Sequence, residues 1–430
     1  MDIKESFLIT LGDMRKIIKD FHREMEKGLS GRKSSLGMIP AYAARPTGSE
    51  KGSFIALDLG GTNFRVIEVE LKGGGKSRIL GVKNFTLNKN IITGSGERLF
   101  LFLASRVNDF IKSEAQGSGR RRELGFTFSF PVNQTGIASG TLVKWTKGFR
   151  AKGVEGADVV KLLNEALAKK GLGNIKVAAL VNDTVGTLAA RSYSDRACDV
   201  GVIIGTGTNA CCAERPRTSG ADEMIINIEW GNFNKLRRNS YDKELDRRSE
   251  NPSHQVLEKM VSGMYLGGLA GLVLGAGSFS SRHMSEIESD VSRGLSRVGA
   301  IAGRLGIRAA TPMERRFIKE VCCLISTRAS RISAAALAAV VTKIDPKLSR
   351  RHTVAIDGSV YEKHPHFAKR MKLALREIFG SKASGIRIVL TKDGSGKGAA
   401  IIAAAAASKI WRHHDYKSES DRHAGEVAGE

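Results

Sequence analysis

Asp58-Leu59-Gly60-Gly61-Thr62-Asn63-Phe64-Arg65 closes one apolar run, Phe54 to Asp58, and opens another, Phe64 to Leu71, so the chain must reverse at a tip of small residues. Gly-Gly-Thr-Asn between two apolar runs is hairpin chemistry, because these residues accept the backbone conformations that tight turns demand. The device returns far downstream, where Val200 to Ile204 and Ala210 to Glu214 flank Gly205-Thr206-Gly207-Thr208-Asn209. Two such hairpins, embedded in alternating strand and helix patterns, imply duplicated α/β halves. The length of 430 residues also exceeds the roughly 250 to 300 at which one core stops growing. Two lobes with a ligand cleft between them are therefore expected.

Outward from the hairpins, Phe7, Leu11, Met14, Ile18, Phe21 and Met25 recur at steps of three and four and predict one amphipathic helix over 3–27. Helices are also predicted over 98–113, 153–170, 258–274, 285–304 and 312–342, and strands over 124–130, 177–181, 352–357 and 386–390. A glycine-rich turn over 391–398 leads into a helix from Ala399 to Trp411. No run approaches about 18 consecutive apolar residues, so no membrane partner is expected. The first residues suit neither a signal peptide nor a transit sequence, so a cytoplasmic location is expected. Cys198, Cys211, Cys212, Cys322 and Cys323 form two vicinal pairs and one single residue in apolar surroundings, which reads as buried free thiols rather than a zinc site. The net charge of +24 comes from scattered clusters such as Arg247 with Arg248 and Arg315 with Arg316, mostly near acids. A solvated surface is the favoured reading, and nucleic acid is an unlikely partner because no recognisable binding module accompanies the charge.

The small residues at Asp58 to Arg65 would let backbone N–H groups approach an anion, while the carboxylate could orient magnesium-bound water. Taken alone, a structural hairpin explains them equally well. The second tip shifts the balance, since two tips, one on each lobe, can clamp a triphosphate from both sides. Gly205-x-Gly207 is followed by a strand pattern rather than the helix that a dinucleotide site needs, and Gly394-Ser395-Gly396-Lys397 lacks the first glycine and the Ser/Thr of a P-loop. Asn182-Asp183 ends an apolar run, where Asp183 could act as a general base, although spacing alone favours a helix cap.

The stretch Leu124-Gly125-Phe126-Thr127-Phe128-Ser129-Phe130-Pro131, with Gln134, Ile137, Gly140, Leu142 and Trp145-Thr146-Lys147-Gly148-Phe149, closely resembles the sugar-binding signature of the hexokinase family. The resemblance continues through Asp58 to Arg65, Val181 to Gly186, Gly205 to Asn209, Glu229-Trp230-Gly231, Glu258 to Gly267, Asp357-Gly358-Ser359 and Asp393 to Ala400. It implies a two-lobed, actin-like (ribonuclease H-like) duplicated α/β fold with a central interlobe cleft. By position, it implies Asp183 as the catalytic base and Lys147 as the lysine beside the reacting centre. Ser129, Thr146, Lys147, Asn182, Asp183, Asn209, Glu229 and Glu258 would hold a hexose, with glucose the foremost candidate. Asp58, Gly60, Gly61, Thr62, Asn63, Arg65, Thr206, Gly207, Thr208, Asp357, Gly358, Ser359, Gly394, Ser395 and Gly396 would lie against ATP, with Mg2+ as cofactor. No residue is singled out as a metal ligand.

The expected division is an N-terminal helical segment over 1–44, a small lobe over 45–183, a large lobe over 184–412 and a disordered tail over 413–430. The length corresponds to one catalytic unit, so a second, regulatory unit is not expected, and a monomer or weak homodimer is. Two rivals use the same fold: a catalytically silent sugar sensor, disfavoured by the presence of Asp183 and Lys147, and an actin-like or chaperone-like ATPase, disfavoured by the sugar-type residues between Ser129 and Lys147.

Overall fold

The computed structural model describes residues 3–60, 63–113, 122–214 and 223–407. Gly61, Thr62, Arg120, Arg121, Trp411 and the tail expected over 413–430 lie outside the described residues. The strands in the first half are β1 (Ile39–Pro40), β2 (Lys51–Leu59), β3 (Asn63–Gly73), β4 (Lys76–Thr86), β5 (Arg122–Phe128), β6 (Val132–Gly136), β7 (Ser139–Leu142) and β8 (Ile175–Val181). Those in the second half are β9 (Cys198–Ile204), β10 (Thr208–Glu214), β11 (Met224–Asn227), β12 (His352–Asp357) and β13 (Ile386–Leu390).

One sheet has the order β4-β3-β2-β5-β8 and the other β1-β11-β10-β9-β12-β13. Numbered within its own half, each is 3-2-1-4-5: an antiparallel three-strand meander followed by two parallel strands, with β1 added at the edge of the second. Both hairpins read from the sequence are the first turns of these meanders, β2 to β3 and β9 to β10. The inner parts of β5 and β8 are buried and largely apolar, as expected of parallel strands covered by helices.

Each fifth strand feeds a helix, and the two helices cross to the opposite sheet. The helix Asp183–Ser192 follows β8 of the first sheet yet packs on β9, β10 and β12 of the second. The C-terminal helix Gly394–Ala407 follows β13 of the second sheet and packs on β2, β3, β5 and β8 of the first. The helix placed with the large lobe by chain order thus covers the small-lobe sheet. The two helices meet at glycines: a Cβ on Gly398 would lie 1.8 Å from Gly186 O. Only bare backbone fits there.

Several predicted elements are divided or moved. The N-terminal helix is two, Ile3–Phe7 and Leu11–Leu29, because Thr10 and Asp13 form a reciprocal capping box, with Asp13 N–H to Thr10 Oγ1 at 3.1 Å and Thr10 N–H to Asp13 Oδ2 at 2.8 Å. It packs on the long helix Pro312–Ile344 of the second lobe. That long helix has the length and apolarity to cross a bilayer, yet 83% of its most apolar window is buried within the protein. The span 258–274 divides at Ser262 into Val256–Val261 and Gly263–Leu274, and 285–304 divides into Ser281–Glu288 and Ser296–Arg304. In the latter break Asp290 accepts from the backbone N–H of Ser292 and of Val298. The C-terminal helix starts at Gly394, so the predicted glycine-rich turn over 391–398 is half helix. Strand β4 and the helix Phe367–Phe379 were not predicted. All five cysteines are free, and burial pushes the Cys198 thiol up to about 12.

Candidate active site

The interlobe cleft encloses about 470 Å³ and is lined by Ser129, Thr146, Lys147, Asn182, Asp183, Thr206, Gly207, Thr208, Asn209, Glu229 and Glu258. Every residue that the resemblance assigns to the hexose therefore meets in one place, drawn from both lobes. Ser129 follows β5, Thr146 and Lys147 follow the β6–β7 hairpin, and Asn182 and Asp183 begin the helix after β8. Asn209 is on β10, Glu229 follows β11 and Glu258 is on Val256–Val261.

Asn182 and Asp183 divide the labour that spacing alone left open. Asn182 is the cap: its Oδ1 accepts from Thr184 N–H at 2.9 Å and from Thr184 Oγ1 at 2.7 Å. Asp183, in the first helical turn, turns its carboxylate to the cleft. Burial pushes its pKa up, the Lys147 charge opposes that, and the Asp58 charge adds to it. Lys147 is held by donating to Ser129 O at 2.7 Å, with Nζ 5.4 Å from the centre of the Phe130 ring. Its left-handed backbone (φ 57°) sits above an aromatic cluster of Phe128, Phe130, Trp145 and Phe149.

Two further carboxylates face the same space. Glu258 Oε2 accepts from Thr208 N–H at 2.8 Å, and burial raises its pKa to about 6. Burial also raises Glu229, whose backbone is left-handed at φ 53°. Three acids around one lysine make a site rich in acceptors, which suits a ligand with many hydroxyl donors. Ser129 Oγ is buried beside the Asp183 carboxylate, to which it makes only a poorly aligned bond, so a hydroxyl-rich ligand would complete its hydrogen bonding.

The residues assigned to the nucleotide form the adjoining rim. Asp58 and Arg65 face each other across the first hairpin, joined by Arg65 Nη2 to Asp58 Oδ2 at 2.5 Å. Arg65 also donates to Asp393, and Ser395 Oγ donates to Asp58 Oδ2 at 2.7 Å. A Cβ on Gly60 would stand 3.5 Å from Ser129 Oγ, which joins this rim to the hexose side. Gly358 (φ 118°) lies so close to the second hairpin that a Cβ would fall 2.4 Å from Ile204 O. That hairpin also accepts from the start of Gly263–Leu274, Gly263 N–H to Gly205 O at 2.8 Å and Met264 N–H to Thr206 O at 3.1 Å. Asp357 and Ser359 flank Gly358, and Gly394 and Gly396 flank Ser395 in the first helical turn. Asn63 opens β3 beside the undescribed Gly61 and Thr62.

Sequence reading missed several lining residues, among them Arg248, which ends the helix Ser240–Arg248, and Asn251 and Gln255 in the connection that follows it. It also missed Asn227, and it gave no site role to Asp393, which opens the matched stretch Asp393 to Ala400. Asn227 had a visible signal: it is a lone amide in the apolar run Met224 to Ile228.

Two family models, each described as hexokinase, match residues 1–193 and 199–405. The chain is 41% identical over 433 residues to the hexokinase-like 1 protein of Arabidopsis thaliana, covering 91% of this chain and 87% of that one. It is 39% identical to hexokinase-2 of Rattus norvegicus over 91% of its own length, and there it spans about half of the relative, 46%. A hexokinase from Schistosoma mansoni, solved in complex with glucose, superposes with a TM-score of 0.84 at 36% identity, over 94% of this chain and 97% of that one. The actin-like duplicated fold is thus shared at backbone level with an experimental structure. With both halves matched and a relative of similar length aligned almost throughout, the chain belongs to the hexokinase family.

Proposed function

We propose that this protein transfers the γ-phosphate of ATP to the C6 hydroxyl of a hexose, with glucose as the acceptor. The observation that carries the reading is the placement of the Asp183 carboxylate beside Lys147, Ser129, Glu229 and Glu258 in one interlobe cleft. Support also comes from the Schistosoma relative, which binds glucose.

In this reading the sugar hydroxyls bond to Ser129, Thr146, Asn182, Asn209, Glu229 and Glu258, which leaves the C6 hydroxyl against Asp183. The C6 oxygen attacks the γ-phosphorus, the bond from that phosphorus to the β–γ bridging oxygen breaks, and the hydroxyl proton passes to Asp183. A carboxylate whose pKa is raised toward neutrality is a stronger base, and such a base contributes about 10²- to 10⁴-fold. The Lys147 charge favours the ionised form of the acid and offers positive charge beside the transferring group.

The triphosphate would lie between the two hairpins and the start of the C-terminal helix. Asp58 fits the role of holding a magnesium ion through water: its Oδ2 is occupied by Arg65 and Ser395, while Oδ1 takes no bond from the described residues. Magnesium arriving with ATP supplies charge neutralisation of the phosphates. Because water competes as acceptor, hexose binding should draw the lobes together and expel it. The reading includes a cytoplasmic enzyme working as a monomer or weak dimer.

Hexose-dependent ADP release, assayed with ATP, magnesium and a panel of hexoses, tests the proposal. Turnover abolished by Asp183→Ala is the expected result. Hexose binding without turnover by the native protein would replace the enzyme with a sugar sensor, and neither binding nor turnover would overturn the reading altogether.

A further inference from the structure

Resting on that functional reading, we propose that Asn227, which nothing above places in contact with substrate, is a positioning residue that fixes which oxygen of Glu229 meets the hexose. Asn227 ends β11, and its side chain lies on the same face as Ile225, toward the interlobe core, while Ile226 and Ile228 enter the core of the second lobe. A polar side chain at that position is buried, 8% exposed, so its amide must be satisfied by protein.

Both ends of the amide are used on the site. Asn227 Nδ2 donates to Glu229 Oε1 at 2.7 Å, and Asn227 Oδ1 accepts from Asn209 Nδ2 at 2.9 Å. Asn209 Nδ2 donates in turn to the same Glu229 Oε1 at 3.1 Å, while Asn209 Oδ1 accepts from the backbone N–H of Ala210 at 2.7 Å. The three side chains form a closed triangle in which each amide has one permitted orientation. Glu229 Oε1 takes both donors, and Oε2 takes none from the described residues, so Oε2 is the oxygen left for a sugar hydroxyl. Glu229 cannot adopt this direction through its backbone alone, because φ 53° is a strained conformation for a residue with a side chain. The chain ahead of β1 braces it: Gly37 donates to Ile228 O at 2.9 Å, and a Cβ there would stand 3.2 Å from Glu229 Cβ.

Glu229 is faced by Asp183 on the helix after β8, Lys147 from the loop after β7 and Glu258 on Val256–Val261. Burial raises its pKa, and the Asn227 hydrogen bond is the largest influence holding it down. Removing that donor therefore does two things: it frees the carboxylate to rotate and favours its protonated form.

The test is hexose binding by titration calorimetry across pH, with steady-state kinetics beside it, on native protein, Asn227→Ala and Asn227→Asp. Asn227→Ala should weaken hexose binding about 10- to 100-fold, the loss of a hydrogen bond to a buried charge, with KM affected more than kcat and the acid limb of binding moved to higher pH. Asn227→Asp keeps the side-chain size, so it tests the idea even if Asn227→Ala fails to fold. It sets a carboxylate against Glu229 Oε1, and its deficit relative to native should narrow as pH falls and the pair takes up a shared proton. Folded variants with native affinity and an unchanged pH profile would overturn this inference alone. Absence of hexose binding by the native protein would remove the functional reading and this inference with it.

Discussion

Ser395, in the first turn of the last described helix, donates its hydroxyl to Asp58 Oδ2 at 2.7 Å, joining residues 337 positions apart at the rim of the cleft proposed to hold the nucleotide. Through this bond the C-terminal helix, which belongs by chain order to the second half, completes the first hairpin. Arg65 shares the same carboxylate oxygen, so the orientation of Asp58 is set from two sides.

Ser395→Ala should therefore disturb nucleotide binding and spare the hexose. A hydrogen bond to a charged group is worth about 1.5 to 3 kcal/mol, so the KM for ATP should rise on the order of tenfold or more while the hexose dissociation constant stays unchanged. Parallel titrations with ATP in steady-state kinetics and with hexose by calorimetry check this. An equal loss of both would show that Ser395 supports the whole cleft instead.

Asp183→Asn retains size and polarity but cannot accept a proton. Turnover should fall about 10²- to 10⁴-fold, with hexose affinity changed far less. In the native protein kcat should drop on acidification at a pH above the ordinary aspartate range, because the raised pKa means protonation occurs sooner as pH falls. A pH–rate profile of native protein, with single-turnover measurement of the variant, reads both.

Glu258 predicts a stability cost with a defined sign. Its folded pKa is raised from 4.5 to about 6 by burial, so the fold resists its ionisation. The penalty is absent below the unfolded value, sets in between 4.5 and about 6, and is complete above, where it amounts to about 2 kcal/mol. Glu258→Gln, which can still accept from Thr208 N–H, should raise Tm at pH 8, lose that advantage toward pH 4.5, and weaken hexose binding. Thermal melts at the two pH values, with and without hexose, test the sign.

Gly398→Ala places a methyl 1.8 Å from Gly186 O, where no flexible side chain can yield. The two crossing helices must move apart, at a cost of at least about 1 to 3 kcal/mol for an overpacked core. Because Gly186 is on the Asp183 helix and Gly398 on the Ser395 helix, activity should fall together with Tm. Ala407→Gly at the far end of the C-terminal helix serves as the control that should leave activity unchanged.

Lobe closure gives an optical readout. Trp145 lies in the aromatic cluster under Lys147 in the first lobe, and Trp230 follows Glu229 in the second with Nε1 donating to Thr208 Oγ1 at 2.9 Å. Saturating glucose should change intrinsic fluorescence and slow proteolysis. An unchanged signal for both would count against closure.

Much of the site was legible before the fold was known. The two hairpin tips declare themselves by small residues between apolar runs, and the stretch from Leu124 to Phe149 is long enough to identify its relatives. The residues assigned to the hexose came from that resemblance, and all of them line one cleft. Where reading failed, local rules had no purchase. Thr10 and Asp13 break a helix whose apolar spacing runs through the break, since a capping box is a choice between two good local structures. The glycines at 394, 396 and 398 look like a turn, yet they are helical, and their lack of side chains lets the helix approach the Gly186 backbone at Gly398 and the Ile67 side chain at Gly396.

The sequence by itself determined the duplicated α/β architecture, the hairpins at its two tips and the residue types that crowd the cleft, because apolar periodicity and turn chemistry act over a few residues at a time. Only the tertiary structure decided that the helix after each sheet crosses to cover the other, that Ser395 completes the Asp58 hairpin and that Asn227 orients Glu229. The first two join elements that are far apart in the chain, and the third depends on Asn209, on the strand paired with β11, closing the contact between two residues only two positions apart. They are settled by the close packing of two glycine-bearing helices and by the need of buried amides and carboxylates for partners, and no local pattern encodes either.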